Sequence, residues 1–225
     1  MFGSFNVELC GRESKLWVMT RFVPHILTLG RFVLTIVFMV MILDVPYVPN
    51  KPFFLDIAFG IFVVAGITDI IDGAIARKLN VVSRFGRITD PLVDKILVCG
   101  AFICFAVIGE PKLFNITGAE LSLIHWSVAG ILVLREVYVT VLRQIAESRG
   151  VDFAATTSGK VKMLLQSFAI GAVLVKAAHI PTATWGHWAM VVIFILMLAV
   201  TIISGIRATQ RSGWRQAVTK TANNS

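Results

Sequence analysis

The stretch from Asp69 to Lys95, DIIDGAIARKLNVVSRFGRITDPLVDK, decides the fold. It joins two long apolar segments and sets four aspartates, Asp69, Asp72, Asp90 and Asp94, at their edges. A carboxylate beside the hydrocarbon layer is costly unless it finds a partner. Asp69, Asp72, Gly73, Ala76 and Arg77 stand at i, i+3, i+4, i+7 and i+8, one face of a helix. Gly86, Asp90 and Asp94 follow one another at i+4, again on one face. The linker 79–85 is short enough to make the two helices antiparallel neighbours. The two faces then meet, with all four carboxylates around one cavity.

The rest of the chain sets this pair in a membrane. Of 225 residues 56% are hydrophobic, 15% are charged, and the mean hydropathy is +0.81. A soluble domain has no way to hide that much apolar surface, so the chain reads as an all-α integral membrane protein with a single domain over 1–225. Six spans are expected near 24–43, 53–78, 87–109, 122–143, 160–178 and 187–206. Residues 1–23 carry Phe2, Phe5, Leu9, Leu16, Trp17 and Phe22 among charges, the pattern of an interfacial amphipathic helix. Charges at Glu8, Arg12, Glu13 and Lys15 precede any long apolar run, unlike a cleaved signal peptide. Residues 207–225 form a polar tail.

The net charge of +8 points to membrane topology and anionic headgroups and not to nucleic acid, because its residues sit in short loops. Sixteen Lys and Arg residues lie on one side, in groups around 12–31, 77–87, 143–162 and 207–220. The other side has only Lys51, Lys112 and Lys176. This bias puts both termini and the aspartate-bearing loop in the cytoplasm. Cys10, Cys99 and Cys104 are odd in number and lack metal-binding spacing, so they read as free thiols.

Four carboxylates balance the charge of two divalent ions, and hard oxygen ligands suit Mg²⁺ or Mn²⁺. Such a pair of ions is the clamp used in phosphoryl transfer. Gly73, Ala76 and Gly86 keep the same faces clear, either for close helix packing or for a ligand. Arg77 is suited to a phosphate and equally to a topology anchor.

A second cluster lies further on. Arg135 and Glu136 interrupt the fourth apolar segment, Arg143 follows eight residues later, and Lys160 and Lys162 open the fifth. Two readings stand for it. Arg135, Arg143, Lys160 and Lys162 form a cationic pocket for an acceptor that carries a phosphate. Alternatively, Arg135 and Glu136 form an internal ion pair that orients helices, with Lys162 a topology anchor.

The spacing D-x2-D-G-x2-A-R-x8-G-x3-D-x3-D, complete from Asp69 to Asp94, resembles the signature of the CDP-alcohol phosphatidyltransferases. The resemblance implies a six-helix membrane enzyme, usually a homodimer. Asp69, Asp72, Asp90 and Asp94 would hold two metal ions, with Asp94 also the general base. Asp69, Gly73, Ala76, Arg77 and Gly86 would bind the CDP moiety. PHILTLGR at 24–31, RFG at 84–86, DPLVDK at 90–95 and GKVK at 159–162 resemble the bacterial phosphatidylglycerolphosphate synthase branch. That branch implies transfer of a phosphatidyl group from CDP-diacylglycerol to sn-glycerol 3-phosphate in the bacterial inner membrane. Inositol phosphate, serine and phosphatidylglycerol are the rival acceptors. Intramembrane prenyltransferases lack the interleaved Gly, Ala and Arg positions, and a non-catalytic cation-binding protein would release no CMP.

Overall fold

The computed structural model describes residues 28–79, 84–114, 116–148 and 157–210, with side chains described for these apart from 69–79, 84–91, 147, 157–158 and 160. The expected interfacial helix over 1–23 and most of the tail lie outside the described residues. The described chain is helical from end to end. Helix α1 covers 28–44 and runs into a 3₁₀ turn at Val45–Tyr47. It is followed by α2 (Lys51–Leu79), α3 (Arg84–Ile108), α4 (Gly118–Ser148), α5 (Thr157–His179) and α6 (Thr184–Thr209).

Local chemistry sets the ends. Pro46 opens the 3₁₀ turn, and Pro52 falls at the start of α2, where its missing N–H breaks no helical hydrogen bond. Gly109 closes α3 in the left-handed conformation at φ 70°, and Glu110 N–H donates back to the Phe105 carbonyl at 3.1 Å. That is the glycine-capped helix end a C-terminal Gly is suited to make.

Among the described residues a long helix falls on each of the six expected segments. Four are long and apolar enough to cross a membrane: Thr28–Tyr47, Lys51–Thr68 within α2, Val161–His179 and Thr184–Thr209. The fourth segment was expected at 122–143, but α4 runs from Gly118 to Ser148. Its ends are polar, so hydropathy stops before the helix does.

Packing follows the sequence period. On α1, Arg31, Thr35, Phe38 and Ile42 are all buried and form one stripe, while Leu29, Val33 and Val40 face outward. Inside, Phe38 meets Phe62 at 5.6 Å, and Phe102 meets Phe194 at 6.4 Å. Leu132, Ile170, Leu174, Met190 and Met197 complete the core. Outside, every helix shows large apolar residues, such as Phe53 on α2, Leu134 on α4 and Leu164 on α5. Exposed apolar surface on this scale requires lipid around it.

The directions of the helices can be read from single contacts. Asp56 on α2 pairs with His179 on α5 at 2.8 Å, so the start of α2 lies beside the end of α5. Lys95 on α3 donates to Thr140 on α4 at 2.5 Å, Arg135 on α4 reaches Thr201 on α6, and Arg31 on α1 reaches Asp94 on α3. The start of α1, the end of α2, the start of α3, the end of α4, the start of α5 and the end of α6 therefore share one end of the bundle.

Candidate active site

Asp69 and Asp72 stand on the last third of α2, and Asp90 and Asp94 on the first half of α3, both at that shared end. The side chains of Asp69, Asp72, Asp90, Arg77 and Lys160 lie outside those described, as do the surroundings of Gly73, Ala76 and Gly86. Among the described residues no three His, Cys, Asp or Glu side chains gather in a metal-binding group. Asp94 is described. Its Oδ1 accepts from Arg31 Nη1 at 3.0 Å, with Arg31 1% exposed and Asp94 24% exposed. A guanidinium buried in a membrane helix needs such a partner, and Asp94 gains a fixed orientation in return.

The sequence presents Arg31 as a topology charge and as the end of the PHILTLGR element, and does not reveal this contact. A signal was available: Arg31 falls on the same helical stripe as Phe38 and Ile42, the buried side of α1. Thr35 Oγ1 donates to the Arg31 carbonyl at 2.9 Å on the same stripe.

The second cluster is centred on Glu136. Its carboxylate accepts from Arg135 Nη1 at 3.1 Å and from Lys162 Nζ, and all three residues are largely buried. Arg135 extends to α6, donating through Nε to the Thr201 carbonyl at 3.3 Å and through Nη2 to Ser204 Oγ. Thr140 Oγ1 donates to the Glu136 carbonyl at 2.5 Å and accepts from Lys95. Lys95 is the neighbour of Asp94, so α3, α4, α5 and α6 are tied into one polar layer. This is the internal ion-pair arrangement for Arg135 and Lys162, extended by a second cation that the sequence reading did not connect to Glu136. One carboxylate against Arg135, Lys162 and the nearby Lys95 leaves the layer cationic. Arg143 is half-buried two turns beyond Glu136 and makes no hydrogen bond or ion pair among the described residues. Among the described side chains, the Asp94 carboxylate on α3 thus lies at the same end of the bundle as a cationic layer on α4 and α5, which suits a phosphorylated ligand.

A family model described as CDP-alcohol phosphatidyltransferase matches residues 21–211. The chain belongs to this family. CDP-alcohol phosphatidyltransferases are in general metal-dependent, in keeping with the four-aspartate motif. Among relatives, a Mycobacterium tuberculosis protein named "Probable phosphatidylglycerophosphate synthase" is 32% identical over 69% of this chain and 66% of its own length. The Bacillus subtilis CDP-diacylglycerol–glycerol-3-phosphate 3-phosphatidyltransferase is 38% identical over 51% of this chain and 52% of its own. The Haemophilus influenzae protein of the same name is 31% identical over 68% and 75%. The chain therefore spans between about half and three quarters of these relatives.

Proposed function

We propose that this protein transfers a phosphatidyl group from CDP-diacylglycerol to sn-glycerol 3-phosphate, giving phosphatidylglycerol phosphate and CMP. The observation that carries the reading is the convergence of the Asp69–Asp94 motif and the Glu136-centred cationic layer on one end of the bundle. The names of the relatives support the choice of acceptor.

Asp69, Asp72, Asp90 and Asp94 would hold two divalent ions, Mg²⁺ or Mn²⁺, which offset the charge of the pyrophosphate and of the departing CMP. Asp69, Gly73, Ala76, Arg77 and Gly86 bind the CDP moiety. Asp94, oriented by Arg31, takes the proton from the acceptor hydroxyl as its oxygen attacks the β-phosphorus. The bond from that phosphorus to CMP breaks. Lys160 and Arg143 receive the acceptor phosphate, while Arg135 and Lys162 hold the pocket's wall through Glu136 and add their charge to it. All six helices cross the bilayer, with the shared end and both termini facing the cytoplasm of a bacterial inner membrane, and two copies form a homodimer.

The test is one assay on purified protein: CDP-diacylglycerol with glycerol 3-phosphate, inositol phosphate, serine or phosphatidylglycerol, reading CMP and the lipid product. Only glycerol 3-phosphate should support rapid CMP release. EDTA should abolish turnover, with Mg²⁺ or Mn²⁺ restoring it and Ca²⁺ failing to, because Ca²⁺ favours a looser ligand shell. Full turnover in excess chelator would exclude the two-ion site.

A further inference from the structure

Asp94 and Lys95 are consecutive on α3 and reach in different directions. Asp94 Oδ1 accepts from Arg31 on α1 at 3.0 Å. Lys95 Nζ donates to Thr140 Oγ1 on α4 at 2.5 Å. Thr140 Oγ1 in turn donates to the Glu136 carbonyl, one turn back along α4. Glu136 is the residue whose carboxylate gathers Arg135 and Lys162. Of two neighbouring residues on α3, one is thus the proposed base and the other grips the helix that frames the acceptor pocket.

Deeper in the bundle, α3 and α4 share the apolar core, with Leu97, Ala101 and Phe105 from α3 and Val128, Ala129 and Leu132 from α4. Apolar attraction has no preferred direction and tolerates small slides and rotations of one helix on another. A hydrogen bond weakens steeply as its angle opens. The Lys95–Thr140 bond therefore fixes what the apolar contact leaves loose, the register of α3 on α4 at the level of Asp94. Lys95 is partly buried, within electrostatic reach of Glu136, Arg143 and Arg135, all on α4. A cation is costly at such a place, and a well-packed apolar residue generally serves stability as well or better. Its presence points to a task other than packing.

We infer that Lys95 and Thr140 are a positioning pair for the proposed transfer. Their hydrogen bond keeps Asp94 within reach of the acceptor hydroxyl while the acceptor's phosphate rests on Arg143 and Lys160. The inference rests on the transferase reading. Neither residue touches the reacting atoms: Lys95 acts through the helix that carries Asp94, and Thr140 through the helix that carries Arg143. A misplacement of about 1 Å between reacting groups can cost roughly a hundredfold in rate. The groups that bind the donor and the acceptor stay intact when the bond is lost, so the loss falls on kcat and not on KM.

CMP release by the purified full chain tests it, with CDP-diacylglycerol and glycerol 3-phosphate varied in turn and thermal unfolding measured beside the kinetics. Thr140→Val keeps every charge and removes the hydroxyl. Its kcat should fall by roughly tenfold to a hundredfold, the worth of a hydrogen bond to a charged group, with both KM values within about twofold of wild type. Thr140→Ser restores the hydroxyl and should restore kcat to within a few-fold. Lys95→Met should lose kcat to a similar degree. The double variant, Thr140→Val with Lys95→Met, should lose no more than the worse single one, because both break the same contact. A Thr140→Val enzyme with wild-type kcat overturns the inference, as does a double variant whose loss is the product of the two single losses. A lower unfolding midpoint with unchanged kcat would make the pair a structural tie and overturn it too. So would a Lys95→Met enzyme that changes only KM for glycerol 3-phosphate, which would make Lys95 a phosphate ligand. A wild type that releases no CMP removes the transferase reading and this inference with it. An active wild type with indifferent variants removes the inference alone.

Discussion

Lys162 and Lys176 ride on the same helix, α5, and are equally buried, at 5% and 4% exposure, yet they are held in opposite ways. Lys162 meets a carboxylate, Glu136, which Arg135 shares. Lys176 meets backbone carbonyls of two loops, and His187 Nδ1 donates to the same Lys112 carbonyl at 3.0 Å. His125 Nε2 donates to the adjacent Pro111 carbonyl at 3.2 Å. The shared end of the bundle is thus joined by charged groups between helices. The far end is fastened mainly to the main chain of two loops, through Lys176, His187 and His125, with one side-chain pair between helices, Asp56 with His179. Buried cations meet a carboxylate where chemistry is proposed, and the buried Lys176 meets neutral carbonyls at the far end, where the Asp56–His179 pair is exposed.

The largest effect should come from the charged end. Asp94→Asn should lower CMP release by roughly a hundredfold or more, the usual contribution of a positioned base, while donor binding changes less. Asp69→Asn should also remove activity but weaken metal-dependent donor binding with it. An Asp94→Asn enzyme within a few-fold of wild type would remove the base assignment.

Next comes stability, where the two lysines should part company. Glu136→Ala leaves Arg135 and Lys162 buried without their carboxylate, an expected loss of about 3–5 kcal/mol in thermal or denaturant unfolding. Lys176→Met leaves the Pro181 carbonyl without this donor and the Lys112 carbonyl with His187 alone, an expected loss of about 1–3 kcal/mol. The reverse order would mean that the far end, not the Glu136 layer, carries the fold.

Acceptor recognition should respond without a stability change. Lys160→Ala and Arg143→Ala should each lower kcat/KM for glycerol 3-phosphate by roughly tenfold to a hundredfold, the worth of a charge-assisted hydrogen bond. KM for CDP-diacylglycerol and the unfolding midpoint should hold. Arg135→Ala, by contrast, should lower both, because it also ties α4 to Ser204 and Thr201. The smallest effect is expected at Gly100. A Cβ there would fall 1.8 Å from Met39 Cε, but a methionine tip moves easily, so Gly100→Ala should change stability by under about 1 kcal/mol.

These contrasts also show what one-dimensional pattern carries. The helical positions were legible because long apolar runs are hard to misread, four of them of membrane length among the described residues, and the eight-position motif was legible because its spacing follows the helical period. Helix ends were less so: charges such as Glu120 and Arg143 close a hydropathy window without breaking α4. The contact of Glu136 with Lys162, 26 residues apart, depends on how α4 meets α5. No spacing within either helix encodes it. The Lys112 carbonyl was invisible for another reason, since a main-chain acceptor leaves no mark on residue type. Arg31 lay between these cases, its phase on α1 readable and its partner on α3 not.

The pairing of Arg31 with Asp94 has a consequence for how the chain is made. The two residues are 63 positions apart, and α1 leaves the ribosome first. At roughly 5–20 residues per second, Arg31 is synthesised several seconds ahead of the carboxylate that will receive it. A long, flexible arginine side chain can snorkel to the headgroup layer during that interval. Insertion of α1 and its final seating against α3 are therefore separate events in biogenesis.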